Sequence, residues 1–167
     1  YADRPAGEVR PTDDVDVLFE VLNYTAYAVL EAQLRSKGFE HDTASDVICR
    51  HMINGIIVDV MPTEESILGF SNKWYKEGFE NSMTRLVEEN YPIRLFQPVY
   101  FLASKLEAFK NRGGNEGRFS TDFEDIVYLL NNRSVIWDEL HQAPENVKQY
   151  LKKEILALLE NEYIEEW

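Results

Sequence analysis

Three aspartates carry the strongest chemical signal in the chain. Asp14 and Asp16 flank Val15 in "RPTDDVDVLFE" (Arg10–Glu20), and Asp59 interrupts the apolar run "GIIVDVMP". Strands disfavour aspartate, and a carboxylate beside a core costs free energy unless a partner compensates it. Residues two apart on a strand share a side. Asp14 and Asp16 therefore project together, while Val15, Val17 and Phe19 turn towards a core and Asp13 falls on the other parity as a turn residue. Two adjacent carboxylates repel, and one tends to keep a proton. A divalent cation removes that conflict, and magnesium takes hard oxygen ligands, commonly a carboxylate or two plus substrate phosphates. If the Asp59 strand lies beside the Asp14–Phe19 strand, three carboxylates share one face. Two ions about 3.5–4 Å apart can then clamp an in-line phosphoryl displacement. The bland alternative makes Asp13 and Asp14 a turn and leaves Asp16 and Asp59 on the solvated face of an open sheet.

Other candidate groups are weaker. His41, His51 and His141 lack metal-ligand spacing. The single cysteine, Cys49, sits among apolar residues in "DVICRHM", which favours a buried inert thiol over a nucleophile. One cysteine cannot form an intramolecular disulfide, and a reducing, cytoplasmic setting is expected. Trp74 and Tyr75 in "SNKWY" offer faces for stacking on a base, with core packing as the commoner fate of such aromatics. "RGGNEGR" lacks the phosphate-loop pattern and its following lysine, so a surface loop is expected.

The elements that must position the acids are legible from periodicity. Residues 1–12 read as a loop around Pro5, Gly7 and Pro11, followed by a strand over Asp14–Phe19. "YTAYAVLEAQLRSKG" has helical spacing, with Gly38 as its stop. Asn54-Gly55 between β-branched runs signals a two-residue hairpin, pairing Val47–Ile53 with Ile56–Met61 and ending at Pro62. Residues 71–82 read as a short helix or a lid, with strands around 79–87 and at "YPIRLF". From Pro98 the chain turns helical: "PVYFLASKLEAFKNR", then "STDFEDIVYLLNN", "SVIWDELHQA" and "PENVKQYLKKEILALLENEYIEEW", with Pro144 suited to a first turn. A mixed α/β (α+β) fold is expected, with a core over residues 1–97 and a C-terminal helical region over 98–167 packing on it.

The totals bound the function classes. The 167 residues suffice for one domain or a small domain with a helical appendage. A net charge of −13 argues against a broad basic nucleic-acid surface, yet metal ions or local cations can reverse the field at one site. Part of the acid lies in the tail, at Glu160, Glu162, Glu165 and Glu166, and reads as a solvated helix end. No apolar run approaches the roughly 18 residues of a membrane helix, so no membrane role is expected.

Four blocks, "RPTDDVDVLFE", "NGIIVDVMPTEESILGFSNKWY", "FLASKLEAFKNRG" and "STDFEDIVYLL", occur in an order that resembles the AbiEii-type nucleotidyltransferases. These are minimal nucleotidyltransferase-fold proteins related to toxins of bacterial abortive-infection and toxin–antitoxin systems. The resemblance spans roughly residues 4–133. It implies a polymerase-beta-like core using magnesium or manganese and a nucleoside triphosphate, with a hydroxyl acceptor on RNA such as tRNA, or on protein, and an antitoxin as partner. Asp14 and Asp16 match the family's metal-binding pair, and Asp59 matches its third acid, which positions or deprotonates the acceptor. Arg10 and Thr12 match the run before the pair, and Lys105 matches a lysine for the triphosphate, a suitable role for an ammonium. Asp122 and Asp125 match an Asp-x-x-Asp block that supports this lysine, although Asp122 is equally suited to a helix start. The family's Gly-Gly or Gly-Ser phosphate cradle does not precede Asp14, and Gly113-Gly114 is misplaced for it. The pair is expected upstream of Tyr1; the alternative is a catalytically degraded relative acting through a protein partner.

Overall fold

The computed structural model describes residues 1–3, 11–69, 71–112 and 117–161. Arg10 and the rest of 4–10, Gly113-Gly114 and the acidic end at 162–167 lie outside the described residues. The fold is mixed α/β, as expected. Contacts divide the chain into two compact units: Val9–Phe79, and Glu80–Trp167 together with Tyr1–Glu8. The division falls before the second hairpin, whereas the change in sequence character falls at Pro98.

In the first unit, β1 (Asp14–Phe19) leads into α1 (Tyr24–Ser36). Asn23 starts the helix, accepting a hydrogen bond from the Ala26 amide at 2.9 Å. Gly38 ends it with φ 91°, where the Gly38 amide bonds the Arg35 carbonyl and the Phe39 amide bonds the Leu34 carbonyl. This is the paired closure that a left-handed glycine permits. The short strand β2 (Glu40–His41) follows, then β3 (Arg50–Ile53) and β4 (Ile56–Pro62). Asn54 and Gly55 both have positive φ, 52° and 81°, as a type I′ hairpin turn requires.

The sheet order is β1-β4-β3-β2, with β1 parallel to β4 and the other pairs antiparallel. α1 covers one face: Leu30 and Leu34 pack with Val17, Phe19, Val58 and Val60. A smaller cluster joins Val21, Tyr27 and Ile67, the last on the short helix α2 (Glu65–Leu68). α3 (Tyr75–Glu80) resolves the 71–82 stretch as a short helix.

Two expectations need correction here. β3 begins at Arg50, not Val47, because side chains hold residues 42–47 in turns. The Asp42 carboxylate accepts from the Ala44 amide and the Ser45 hydroxyl from the Val47 amide, which competes with strand pairing. Val15 does not anchor β1; it is 49% exposed. It stands on an edge strand and lies outside the cluster that α1 forms with Val17 and Phe19.

In the second unit, β5 (Met83–Leu86) and β6 (Pro92–Leu95) form a hairpin. The helices are α4 (Pro98–Asn111), α5 (Thr121–Asn132), α6 (Ile136–Gln142) and α7 (Glu145–Leu159), with a 3-10 turn at Gly117–Phe119. α4 is the centre, touching α5, α6 and α7. Its Val99, Tyr100, Leu102, Ala103, Leu106 and Phe109 are buried. Pro98 opens α4, whereas Pro144 sits one place before the first turn of α7, capping it. Residues 1–3 are tied to this unit. The Tyr1 hydroxyl donates to the Phe96 carbonyl at 2.9 Å, and Ser134 donates twice to the Asp3 carboxylate, at 2.8 and 3.0 Å. No helix among the described residues is long and apolar enough to cross a membrane.

Candidate active site

The parallel pairing of β1 with β4 sets Asp16 directly beside Asp59, and Asp14 beside Ile57. Register partners share a face, and Asp14 lies two residues before Asp16. All three aspartates therefore stand on the face opposite α1, the adjacency on which their joint action depends. Thr12 braces the first of them: its hydroxyl is 3.1 Å from Asp14 Oδ1 and 3.0 Å from the Asp14 carbonyl.

A fourth residue joins this face. β3 places Arg50 opposite Asp59. Arg50 donates from Nε to Asp59 Oδ1 at 2.9 Å and from Nη2 to Asp59 Oδ2 at 2.8 Å. The same Nη2 reaches Asp14 Oδ2 at 3.3 Å. Planar fork-on-carboxylate pairing of this kind is among the stronger protein hydrogen-bond arrangements. The Asp59 hydrogen bonds raise the Arg50 pKa above its already high ordinary value. The spacing of acids and histidines does not point to Arg50, but the hairpin does. A two-residue loop at 54–55 fixes the hairpin register, and Arg50 then has to fall opposite Asp59.

The residues behind this face are inert. Cys49 is buried, and burial, followed by the Asp59 charge, pushes its thiol up to about 11. It is a protonated core thiol at neutral pH. His51 is buried on the α1 side, with Nδ1 3.1 Å from the Cys49 carbonyl and its ring edge-on to His41. Trp74 is buried, which removes it as a stacking platform, while the Tyr75 hydroxyl lies 3.6 Å from Met61 Sδ. Met61 shares the parity of Asp59, so Tyr75 overhangs the carboxylate face.

The second unit gathers the other predicted residues. Lys105 on α4 meets α5, with Nζ 2.7 Å from Asp125 Oδ2 and 3.4 Å from Asp122 Oδ1. Arg112 Nη1 is 2.7 Å from Asp122 Oδ2. Asp122 is buried and is not the cap of α5. Ser120 fills that place, accepting from the Phe123 amide at 3.2 Å. Arg112 is a residue that periodicity gave no reason to single out. It is the residue just past Asn111 that caps α4, where a cation favours the helix end.

The carboxylates have the donor chemistry for magnesium or manganese, since all their oxygens are hard ligands. As they stand, no three Asp, Glu, His or Cys side chains among the described residues converge on a single ion position. Asp14 and Asp16 suit the role of first ligands, while both oxygens of Asp59 are engaged by Arg50. Compared with known proteins, the chain matches no family model and no curated protein.

Proposed function

We propose that the chain is a metal-dependent nucleotidyltransferase of the AbiEii type, which takes a nucleoside triphosphate and modifies a hydroxyl on RNA, such as tRNA, or on protein. The observation that carries this reading is the register of β1 with β4, which puts Asp14, Asp16 and Asp59 on one face. Asp14 and Asp16 would hold the cation, with Thr12 fixing the Asp14 carboxylate. A magnesium or manganese ion held there would supply charge neutralisation and Lewis-acid polarisation to the triphosphate. The acceptor oxygen attacks that phosphorus, the bond to the β-phosphate oxygen breaks, and pyrophosphate leaves. Asp59 orients the acceptor and takes its proton. The resemblance alone assigns Arg10, Lys105 and Asp122 to the triphosphate, and it motivates a toxin role opposed by an antitoxin protein. The test is incubation with labelled triphosphates, magnesium and candidate RNA and protein acceptors. Asp14→Ala/Asp16→Ala should lower label transfer by at least about 100-fold; equal transfer sinks the reading.

A second reading is favoured by one observation. Arg50 already places cationic charge on Asp59 and Asp14, as a shell that has lost catalysis and acts through a protein partner would allow. Calorimetry with magnesium and triphosphate separates the two, because tight binding that depends on Asp14 and Asp16 counts against the shell.

A further inference from the structure

Arg50 holds both oxygens of the least accessible of the three aspartates. The side-chain exposures are 10% for Asp59, 21% for Arg50 and 38% for Asp14. A divalent ion that takes an oxygen of Asp59 meets the guanidinium at the same carboxylate, and repulsion between the two cations favours displacement over sharing. Arginine cannot leave by losing its proton, so it must find another anion or water. The open direction lies past Asp14, the more exposed partner that Nη2 already touches at 3.3 Å. A guanidinium fork fits phosphate oxygens as well as it fits a carboxylate. We infer that Arg50 is a displaceable counter-cation: it keeps Asp59 paired in the absence of metal and passes to a phosphate group of the incoming polyphosphate when a divalent cation takes its place. This rests on the proposed metal site. Arg50 is a positioning residue for Asp59 in the first state and a phosphate ligand in the second. By reciprocity of binding free energies, metal and polyphosphate then strengthen each other's binding.

The two halves of the inference predict opposite signs for one substitution. Binding of Mn2+ alone, followed by the paramagnetic resonance of free Mn2+, should be at least about tenfold tighter in Arg50→Gln than in the unaltered protein. Binding of magnesium tripolyphosphate, followed by calorimetry, should be about tenfold weaker in the same variant. A merely structural role for Arg50 weakens both. If Arg50→Gln fails to fold by circular dichroism, Arg50→Lys is read instead. It keeps the charge but loses the fork, and the same two signs are expected at smaller size. Equal Mn2+ affinity in both proteins, abolished in each by Asp16→Asn, overturns the displacement while leaving the proposed metal site standing. Unchanged tripolyphosphate affinity overturns the transfer to phosphate. Absence of Mn2+ binding in both proteins overturns the metal site itself and makes Arg50 the permanent partner of Asp59.

Discussion

Two buried aspartates in this molecule are paired in different ways. In the sheet unit, among the described residues, Arg50 serves two acids: it chelates Asp59 and stretches to Asp14, with Asp16 on the same face. In the helical unit two cations meet two acids: Asp122 is held by Arg112 and, more loosely, by Lys105, which also pairs with Asp125. The helical cluster is electrostatically complete and joins the end of α4 to the start of α5. In the sheet cluster Arg50 is shared between two acids on a face that carries three. A buried ion pair is weak evidence for stability on its own terms, so the balance of acids and cations is what separates a structural network from a site.

The comparison breaks most visibly through activity. Asp14→Ala/Asp16→Ala should cost at least about 100-fold in transfer. Its thermal midpoint should stay within a few degrees of the parent's, since two like charges are relieved on an open face. Asp122→Ala should do the reverse. Losing charge-assisted bonds to two cations should cost about 2–3 kcal/mol, which calorimetry reads as a fall in Tm of roughly 5–10 °C for a chain of this size. A stability loss in the first variant larger than in the second would erase the distinction.

Next in size is the turn that sets the register. Gly55→Ala meets no neighbouring atom, but φ is 81° there. The expected cost is about 1 kcal/mol of backbone strain, seen in chemical denaturation. Arg112→Ala should cost less than about 1 kcal/mol, because the Arg112 side chain is 71% exposed and solvent screens its pair. At neutral pH the smallest effect belongs to Cys49. Its folded pKa of about 11 lies above the ordinary thiol value of 9.0. Between these values the unfolded chain releases a proton that the folded chain keeps, so stability is full below pH 9 and declines as pH rises towards 11. Thiol-reagent labelling of the native protein should accordingly be negligible at pH 7.5 and appear on unfolding.

How much of this was legible in the sequence depended on distance along the chain. Asn54-Gly55 announced the hairpin because a type I′ turn needs two residues tolerant of positive φ. The helix ends at Asn23, Gly38 and Ser120 follow from local capping chemistry. Parity correctly put Asp14, Asp16 and Asp59 on common sides of their strands. It could not show that β1 lies parallel beside β4, a pairing across about forty residues that depends on how α1 closes the loop. Parity also gives side without depth. Val15 has the core-facing parity of Val17, yet α1 covers only Val17 and Phe19. Hairpin arithmetic also places Arg50 opposite Asp59, a signal that the spacing of the acids does not carry. Arg112 had no comparable signal, since its partnership with Asp122 arises from helix packing.

The central claim is that the carboxylate face of β1 and β4 carries nucleotidyl transfer. Its most direct measurement uses triphosphate labelled at the α-phosphate and, in parallel, at the γ-phosphate, with magnesium and a mixture of RNA and protein acceptors. The account predicts that α-label becomes bound to an acceptor with release of pyrophosphate, that γ-label does not, and that Asp16→Asn abolishes the transfer. No α-label on any acceptor, or transfer that survives Asp16→Asn undiminished, would contradict it.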